Sequence, residues 1–575
     1  MNGAAGPGFP GLAPAGVRGG TLAGRTARAP RMSRSVVRRL ARGPLLLFLL
    51  VFAAEFAFGV WMAFRGFRWG DAMSRAGSAM AIVYGADPKL ANVGFVWPPL
   101  PTLLQVLGVF FYPIWPGIVP SGVSAALTTA LCGGATAALL LLTARWLGLS
   151  NRLGWAFALL VATNPMIFLY ASNGMAEGVA APFLIGAICF LTLFWHTGRR
   201  LWIAAAGVAL ALGVATLYQG VAYGAAVCAA LIGGLLWSSE ARASIPQGRA
   251  RAIEGLGLLL LVPPTFVALL WIGENAVIMG DPLEFMHGPW SNLGRAAVGG
   301  PPLVSGDVVG ALALAGERVW PFLIPLAFVL LVRLVDGRLW RIDSILVVVL
   351  GLSVTLGMVV PMAVLGSYMG FLRYHMFPLF VAAGWGLYEI ALSRRRNAAT
   401  ALIVAGWLVA FPVTVYVMAS PRLGEQERGE LMALVKGGSS ADDPVGVRAP
   451  VARYLEAHVL GRGRSVVFDP NRAGGDQMVA MQIRAAYANQ LILAYNRRFD
   501  EAVAHPASYD VGYFLMAEPD KGPRVGISRR YPRLWSGQQP GFRLVKTLVT
   551  PMEKWRIYAI APGARNARDA TGGDG

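Results

Sequence analysis

The stretch EGVAAPFLIGAICFLTLFWHTGRR, residues 177–200, contains the pattern that decides the fold. Glu177 precedes a predominantly apolar segment, 178–195, and Arg199 and Arg200 follow that segment. An apolar helix of about twenty residues spans the ~30 Å hydrocarbon core of a bilayer, and arginines concentrate in cytoplasmic loops. The stretch therefore predicts a membrane-crossing helix whose acidic end lies outside the cell.

The same pattern repeats along the chain, which is 56% hydrophobic and only 14% charged. A soluble domain carries about 25% charged residues, so this composition argues against a soluble enzyme. We predict about eleven spans on hydropathy and length. They cover 44–64, 121–143, 153–171, 178–195, 201–217, 220–237, 255–273, 314–332, 342–365, 371–391 and 398–418.

The net charge of +20 reflects short arginine clusters between apolar segments and in both tails. Because this charge does not gather on one domain, we expect no nucleic-acid partner. The clusters occupy alternate connections, which places those connections and the N-terminus in the cytoplasm and the C-terminal region outside. The excess of Ala, Gly and Arg is typical of a bacterium with a high GC content, so we expect a multi-pass protein of a bacterial plasma (inner) membrane.

The composition divides the chain into four parts. We expect a disordered basic tail, a transmembrane domain, an extracytoplasmic domain and a second disordered tail, over 1–43, 44–420, 421–562 and 563–575. The transmembrane domain includes two long outer loops, 65–120 and 274–313.

The C-terminal part alternates strand and helix patterns. Strands are predicted at 465–469, 491–495 and 509–517, a helix at 476–490, and a closing antiparallel pair at 541–548 and 554–560. This part lacks a phosphate-binding glycine loop and a nucleophile elbow, so we interpret it as a docking or lid domain. The predicted fold class is an all-α polytopic membrane bundle with a small C-terminal extracytoplasmic α/β domain.

Two acidic residues open helices on the predicted outer side. Asp71 follows the first span directly, and Ser74 and Arg75 share its helix face at i+3 and i+4. Glu177 opens a later span. Each carboxylate has two interpretations: a cap that stabilises a helix N-terminus, or a group that reacts with a substrate.

Further polar residues lie in the other outer connections. Tyr218 and Gln219 mark the top of a short hairpin of spans, where an interfacial tyrosine is ordinary. Asp281 lies in a turn. Arg373 breaks the charge rule because it lies on the outer side, where a buried arginine needs an anionic partner. That partner is either a structural acid or a phosphate.

Taken in order, these motifs resemble those of the GT-C superfamily of membrane glycosyltransferases, over residues 44–420. The resemblance rests on the acid after the first span, Asp71, and on four further motifs. These are Trp97-Pro98-Pro99-Leu100, the Asn164-Pro165 stretch ending at Glu177, GDPLEF at 280–285 and FLRYHMFPL at 371–379. The chain departs from relatives at Gly70, where many have a second acid, and at Leu217-Tyr218-Gln219, where many have Arg-Tyr-Glu.

The resemblance implies an inverting glycosyltransferase with a polyprenyl-phosphate sugar donor. The acceptor would be a hydroxyl of a glycan, lipid or protein at the outer face of the membrane. Asp71 would be the catalytic base, and Glu177 would orient the acceptor or join Asp71 in holding a divalent metal, Mg²⁺ or Mn²⁺. The donor phosphate would bind Arg373 with Tyr374 or His375.

Other residues of the outer clusters would then contact the substrates. These are Ser74, Arg75, Tyr218, Gln219 and Asp281. Two other classes of function remain as alternatives: a transporter or flippase of a lipid-linked substrate, and a non-catalytic assembly or binding protein on the same scaffold. The altered Leu217 and Gln219 positions favour the second of these.

Overall fold

A computed structural model describes residues 34–237, 249–288, 291–296, 304–440, 443–470, 475–494, 496, 498–519 and 526–561. Of the first predicted tail, only the residues from Arg34 onward are described, and they are helical. The second predicted tail lies outside the described residues.

The transmembrane part is built from helices that follow one another closely along the chain. They are α1 (Arg34–Phe64), α2 (Gly70–Tyr84), α3 (Leu100–Val109), α4 (Val123–Trp146), α5 (Asn151–Ala162), α6 (Pro165–Tyr170), α7 (Ala176–Thr197), α8 (Leu201–Val214), α9 (Gln219–Trp237), α10 (Arg249–Met279), α11 (Glu284–His287), α12 (Asn292–Ala296), α13 (Val308–Val335), α14 (Ile342–Val354), α15 (Val360–Val364), α16 (Phe377–Leu392) and α17 (Arg396–Ala419). A π-helix, Thr355–Val359, joins α14 to α15, and a 3₁₀-helix, Leu372–His375, precedes α16.

Within the described ranges, nine helices are long and apolar enough to cross a membrane by length and composition. The chain is a multi-pass membrane protein. The other two predicted spans, 153–171 and 201–217, coincide with shorter apolar helices. The first is divided between α5 and α6 at Asn164, because a proline at position 165 disfavours helical geometry in the residue before it.

A cluster of buried charges fixes the C-terminal end of α16. Glu389 accepts hydrogen bonds from Arg333 (3.0 Å), Arg338 (2.9 Å) and the indole of Trp385 (2.9 Å). Arg333 and Glu389 are fully buried. Removing either partner would leave an uncompensated charge away from water, so the pair holds α13 and α16 in one register.

The C-terminal part is a five-stranded mixed sheet with short helices, which confirms the predicted fold class. The strands are β1 (Ser465–Phe468), β2 (Leu491–Ile492), β3 (Val511–Ala517), β4 (Phe542–Val549) and β5 (Lys554–Ile560). Their order is β2-β1-β3-β5-β4. Strand β1 is parallel to β2 and β3, whereas β5 is antiparallel to β3 and β4, as predicted for the closing pair.

Five short helices accompany the sheet. They are α18 (Glu425–Lys436), α19 (Ala449–His458), α20 (Gly475–Ala480), α21 (Phe499–Ala504) and α22 (Gly526–Arg530). The single helix predicted at 476–490 is instead α20 followed by a 3₁₀-helix, Ala485–Gln490. The segment between these helices turns so that Ala485 N–H donates to the Tyr112 hydroxyl at 2.9 Å.

Contacts with the segments between α1 and α4 fix the sheet domain against the bundle. Arg68, in the turn after α1, forms an ion pair with Asp443 and donates to the carbonyl of Pro120 at 2.7 Å. Met478 and Met481 pack in one apolar cluster with residues of α2 and α3. The sheet domain therefore lies directly over the helices that follow the first span.

Asp469 directly follows β1 and fixes α22 to the sheet. Its Oδ1 accepts the backbone N–H groups of Ile527 (2.7 Å) and Ser528 (3.3 Å). Burial raises the pKa of this carboxyl to about 7, although the two hydrogen bonds act in the opposite direction. The folded domain consequently holds the proton of Asp469 more tightly than an unfolded chain does, where an aspartate has a pKa of about 3.9.

We expect the stability contributed at Asp469 to be complete below about pH 4 and to be lost as the pH rises towards 7. Hydrogen–deuterium exchange of the segment 526–534, corrected for the intrinsic rate, should accelerate over this range. Asp469→Asn keeps the acceptor oxygen and cannot ionise, so it should flatten the dependence. The same pH dependence in both proteins would contradict the assignment.

Candidate active site

Three residues that are distant in the sequence meet at one end of the bundle. Arg373 lies between two carboxylates: its Nη2 is 3.1 Å from Asp71 Oδ2, and its Nε is 3.0 Å from Glu177 Oε1. The side chains of Arg373 and Glu177 are each 3% exposed, whereas that of Asp71 is 24% exposed. The carboxylate that reaches solvent is therefore Asp71.

Local sequence explains how the two acids reach this position. Gly66, at φ 81°, turns the chain after α1, so that Asp71 lies in the first turn of α2. Gly178 lies so close to the Tyr170 carbonyl oxygen that a Cβ there would be 2.1 Å away. This contact brings the first turn of α7, with Glu177, against the end of α6.

Other side chains hold the remaining sides of the Arg373 guanidinium. Its Nη1 donates to Oε1 of Gln426, which lies on α18. Its Cζ lies 4.2 Å from the ring centroid of Phe371, 5.4 Å from that of Tyr374 and 5.7 Å from that of Trp69. Arg373 is thus paired with acids at two of its nitrogens, bonded to an amide at the third and enclosed by aromatic rings.

Arg75, one turn after Asp71 on α2, has very different surroundings. Its side chain is buried (3% exposed), yet it has no acid within ion-pair distance among the described residues. Its Nη1 makes a long contact of 3.4 Å with the Asp71 carbonyl, its Nε has no partner, and its Cζ lies 4.8 Å from the ring of Trp97. Burial lowers the pKa of this guanidinium, as expected for a desolvated cation that lacks a paired anion.

A cavity of about 860 Å³ opens beside these groups. Its polar end is lined by Asp71, Arg75, Glu177, Tyr218, Gln219, Glu274, Arg373 and Tyr374. Its apolar wall comes from α9, α10, the π-helix and α15, including Ala222, Val267, Trp271, Met358 and Pro361. A π-helix inserts an extra residue into a helical turn and is frequent at functional sites.

Tyr218 and Gln219 both line this cavity. The Tyr218 hydroxyl donates to the carbonyl of Val96 at 3.0 Å and accepts from the Trp271 indole at 3.2 Å, while its ring stacks on Phe285 at 4.9 Å. Tyr218 therefore joins the first outer loop, α10 and the loop 280–288 into one wall. Gln219 is buried at the start of α9.

Three other predicted site residues lie away from the cavity lining. Ser74 is buried on α2 next to Arg75. His375 is fully buried and its Nε2 is 2.8 Å from the Tyr368 hydroxyl. Asp281 lies on the outer loop, where it accepts the Leu283 N–H at 2.8 Å and contacts His287 at 3.0 Å. The contacts of Asp281 are those of a turn residue.

Sequence reasoning did not find the contribution of α18. Gln426 contacts Arg373, Glu427 accepts from the Tyr170 hydroxyl at 2.6 Å, and Glu430 accepts from the Trp69 indole. The sequence feature that could have indicated these contacts is the pair of acids at i and i+3, Glu427 and Glu430. They lie directly after the last span and next to apolar residues. Such a pattern is also typical of an ordinary amphipathic surface helix, so it does not predict these contacts.

The contacts do not favour the predicted divalent metal at Asp71 and Glu177. Both carboxylates face the Arg373 guanidinium, so a cation between them would have to displace it. Among the described residues, no group of three or more His, Cys, Asp or Glu side chains has the arrangement of a metal site. We derive no step through a metal.

No protein-family profile and no curated protein sequence matches the chain. Among solved structures, ArnT from Cupriavidus metallidurans bound to undecaprenyl phosphate is 14% identical, with a TM-score of 0.48 over 92% of this chain and 100% of ArnT. The oligosaccharyltransferase AglB from Archaeoglobus fulgidus, in complex with an inhibitory peptide and a dolichol-phosphate, is 11% identical. Its TM-score is 0.40 over 85% of this chain and 70% of AglB.

ArnT and AglB are both GT-C superfamily members, which is the superfamily that the sequence motifs resemble. At TM-scores below 0.5, these likenesses show neither the activity nor the substrates of this chain.

The different burial of the two acids predicts different effects on stability. Glu177→Ala removes a partner from a buried pair, which should lower the free energy of unfolding by about 3 kcal/mol. Asp71→Asn changes a partly exposed residue and keeps an oxygen acceptor for Arg373, so it should have a much smaller effect. Thermal unfolding of the purified proteins in detergent measures both. Equal melting temperatures of the two variants would contradict the arrangement.

Proposed function

We propose that this protein is a membrane glycosyltransferase that moves a sugar from a polyprenyl-phosphate donor to an acceptor hydroxyl, with inversion. One observation carries the proposal: a single cavity joins a buried, unpaired guanidinium and a solvent-accessible carboxylate to a long apolar wall. A lipid phosphate sugar has the matching parts, which are an anion, a reactive carbon next to it and a hydrocarbon chain.

Arg75 is a better binding residue for the donor phosphate than Arg373 is. The nitrogens of Arg373 already face Asp71, Glu177 and Gln426, whereas Arg75 has a free Nε and lines the cavity. A buried cation without an anion gains most from a phosphate, and a guanidinium can donate two parallel hydrogen bonds to it. Arg373 then balances the two carboxylates, with Tyr374 beside it at the cavity wall.

Asp71 is the proposed base. Its Oδ2 faces Arg373, and its other oxygen is available to an acceptor hydroxyl in the cavity. As the hydroxyl oxygen attacks the anomeric carbon, Asp71 takes the proton. The bond between that carbon and the phosphate oxygen breaks, and the electron pair leaves with the phosphate, which Arg75 stabilises. Attack from the side opposite the phosphate inverts the carbon.

The predicted sidedness supports a lipid-linked donor. The arginine pattern places Asp71, Glu177 and Arg373 on the outer side, away from the cytoplasmic pool of nucleotide sugars. The apolar wall formed by α9, α10 and α15 would hold the start of the prenyl chain. The acceptor remains a hydroxyl of a glycan, a lipid or a protein at the outer face.

Asp71→Asn should abolish transfer while donor binding stays intact. The amide is almost isosteric with the carboxylate but cannot take a proton, so the turnover rate should fall at least ~100-fold. The assay measures sugar release from polyprenyl-phosphate sugars in membranes that contain the protein, with Asp281→Asn as the matched control on the outer loop. Full activity of Asp71→Asn would rule out Asp71 as the base. Donor binding without transfer by the unaltered protein would favour the non-catalytic alternative.

Arg75→Gln should weaken the binding of a polyprenyl phosphate. Loss of hydrogen bonds from a charged donor costs about 1.5–3 kcal/mol, which corresponds to a ~10–100-fold higher Kd. Binding can be measured by titration of the purified protein in detergent. Arg422→Ala, which removes an exposed outer arginine, should bind normally. An unchanged Kd in Arg75→Gln would exclude this phosphate seat.

A further inference from the structure

Helix α18 is the first element after the last span, and it faces the candidate site. Gln426, Glu427 and Glu430 lie near its start and point towards the bundle, whereas Glu425 and Arg428 are exposed. A helix that only linked two domains would be expected to leave its acids in solvent, but two acids of α18 are buried. The burial therefore indicates a role for this face of the helix.

Gln426 contacts the Arg373 guanidinium on the side that the carboxylates leave open. Nε faces Glu177 and Nη2 faces Asp71, so Nη1 is the remaining nitrogen, and it donates to Gln426 Oε1. Three acceptors on three different elements thus define the plane of the guanidinium. With two acceptors alone, the group could swing about the line that joins them.

Glu427 and Glu430 hold the aromatic rings of Tyr170 and Trp69 in place next to Arg373. Glu427 accepts from the Tyr170 hydroxyl, and Glu430 accepts from the Trp69 indole N–H. The two rings contact each other edge to face, with centroids 5.5 Å apart, and Arg373 lies over the Trp69 ring. Burial raises the pKa of both Glu427 and Glu430.

We propose that α18 is a positioning element for the transfer reaction and that Gln426 is its positioning residue. Gln426 fixes the plane of the Arg373 guanidinium. Because Arg373 contacts the carboxylate of Asp71, this also fixes the orientation of that carboxylate, which is the proposed base. Misplacement of a reacting group by about 1 Å can cost ~100-fold in rate. This inference rests on the proposed function and assigns to the start of the C-terminal part a role within the same site.

Gln426→Leu removes the oxygen that accepts from Arg373 but keeps a side chain of similar size. Gln426→Glu keeps an oxygen acceptor at this position. We expect Gln426→Leu to lower kcat 10–100-fold with KM for the donor within about twofold, because Arg75, not Arg373, holds the phosphate. Gln426→Glu should recover kcat to within about fivefold of the unaltered protein. Glu425→Leu, on the exposed side of the same helix, is the matched control and should behave normally.

A second pair of variants tests Glu427 as the acceptor for Tyr170. Glu427→Gln keeps an oxygen acceptor for the Tyr170 hydroxyl, so it should retain kcat, whereas Glu427→Leu should lose it. Thermal unfolding and gel filtration in detergent establish that each variant is folded. The polyprenyl phosphate Kd, measured without turnover, should be unchanged in all five variants.

The outcomes separate this inference from the proposed function. If the unaltered protein transfers sugar and folded Gln426→Leu has the same kcat, the positioning role is wrong and the glycosyltransferase assignment stands. A kcat of Gln426→Glu as low as that of Gln426→Leu would also overturn it, as would a loss confined to KM. If the unaltered protein transfers no sugar, the proposed function itself fails.

Discussion

The candidate site depends on one buried guanidinium held between two carboxylates. Arg373 contacts Asp71 and Glu177 although these acids belong to different parts of the chain, and both Arg373 and Glu177 are almost completely buried. The buried charges of Arg373 and Glu177 compensate each other, and the loss of either would leave the other uncompensated away from water. The three elements that carry these residues are therefore constrained to meet, and the cavity forms beside their meeting point.

A second constraint makes the site asymmetric. Arg373 contacts an acid at Nε, an acid at Nη2 and an amide at Nη1, whereas Arg75 is equally buried and has no charged partner among the residues that the structure describes. The aromatic face of Trp97 partly compensates the desolvation of Arg75. The protein thus keeps one guanidinium to organise its own carboxylates and another that is ready for an anion from outside. This division of roles is difficult to infer from the sequence, because both residues are arginines that are predicted to lie on the outer side.

Much of the bundle could be predicted from the sequence, because hydropathy and arginine placement report directly on the solvent around each segment. The convergence of Asp71, Glu177 and Arg373 follows from the prediction that their connections share one side of the membrane. Arg373 was predicted to need either an acid or a phosphate, and the structure provides two acids. The break at Asn164 and the division of 476–490 were not predicted, since hydropathic period alone does not mark a proline-directed break or a domain contact.

The contacts of α18, and the position of His375 away from the cavity, could not be predicted for a different reason. They depend on which face of a helix meets which neighbour after the chain has left the membrane, and hydropathy carries little information there. Gln426, Glu427 and Glu430 have the composition of a solvated helix. Gln426 nevertheless reaches the Arg373 guanidinium, and the two acids reach the aromatic rings of Tyr170 and Trp69. His375 follows Arg373 closely in the sequence, but the 3₁₀-helix directs it towards Tyr368 instead.

Helix α16 begins close to Arg373, and Glu389, near its other end, lies in a separate buried ion cluster. A rise of 1.5 Å per residue separates Phe377 from Glu389 by about 18 Å along the helix axis. Sliding α16 along this axis would break charged contacts in both clusters together, so the helix is held at two separate levels. The position of Arg373 along the bundle is consequently set by the distant Glu389 cluster as well as by its own surroundings.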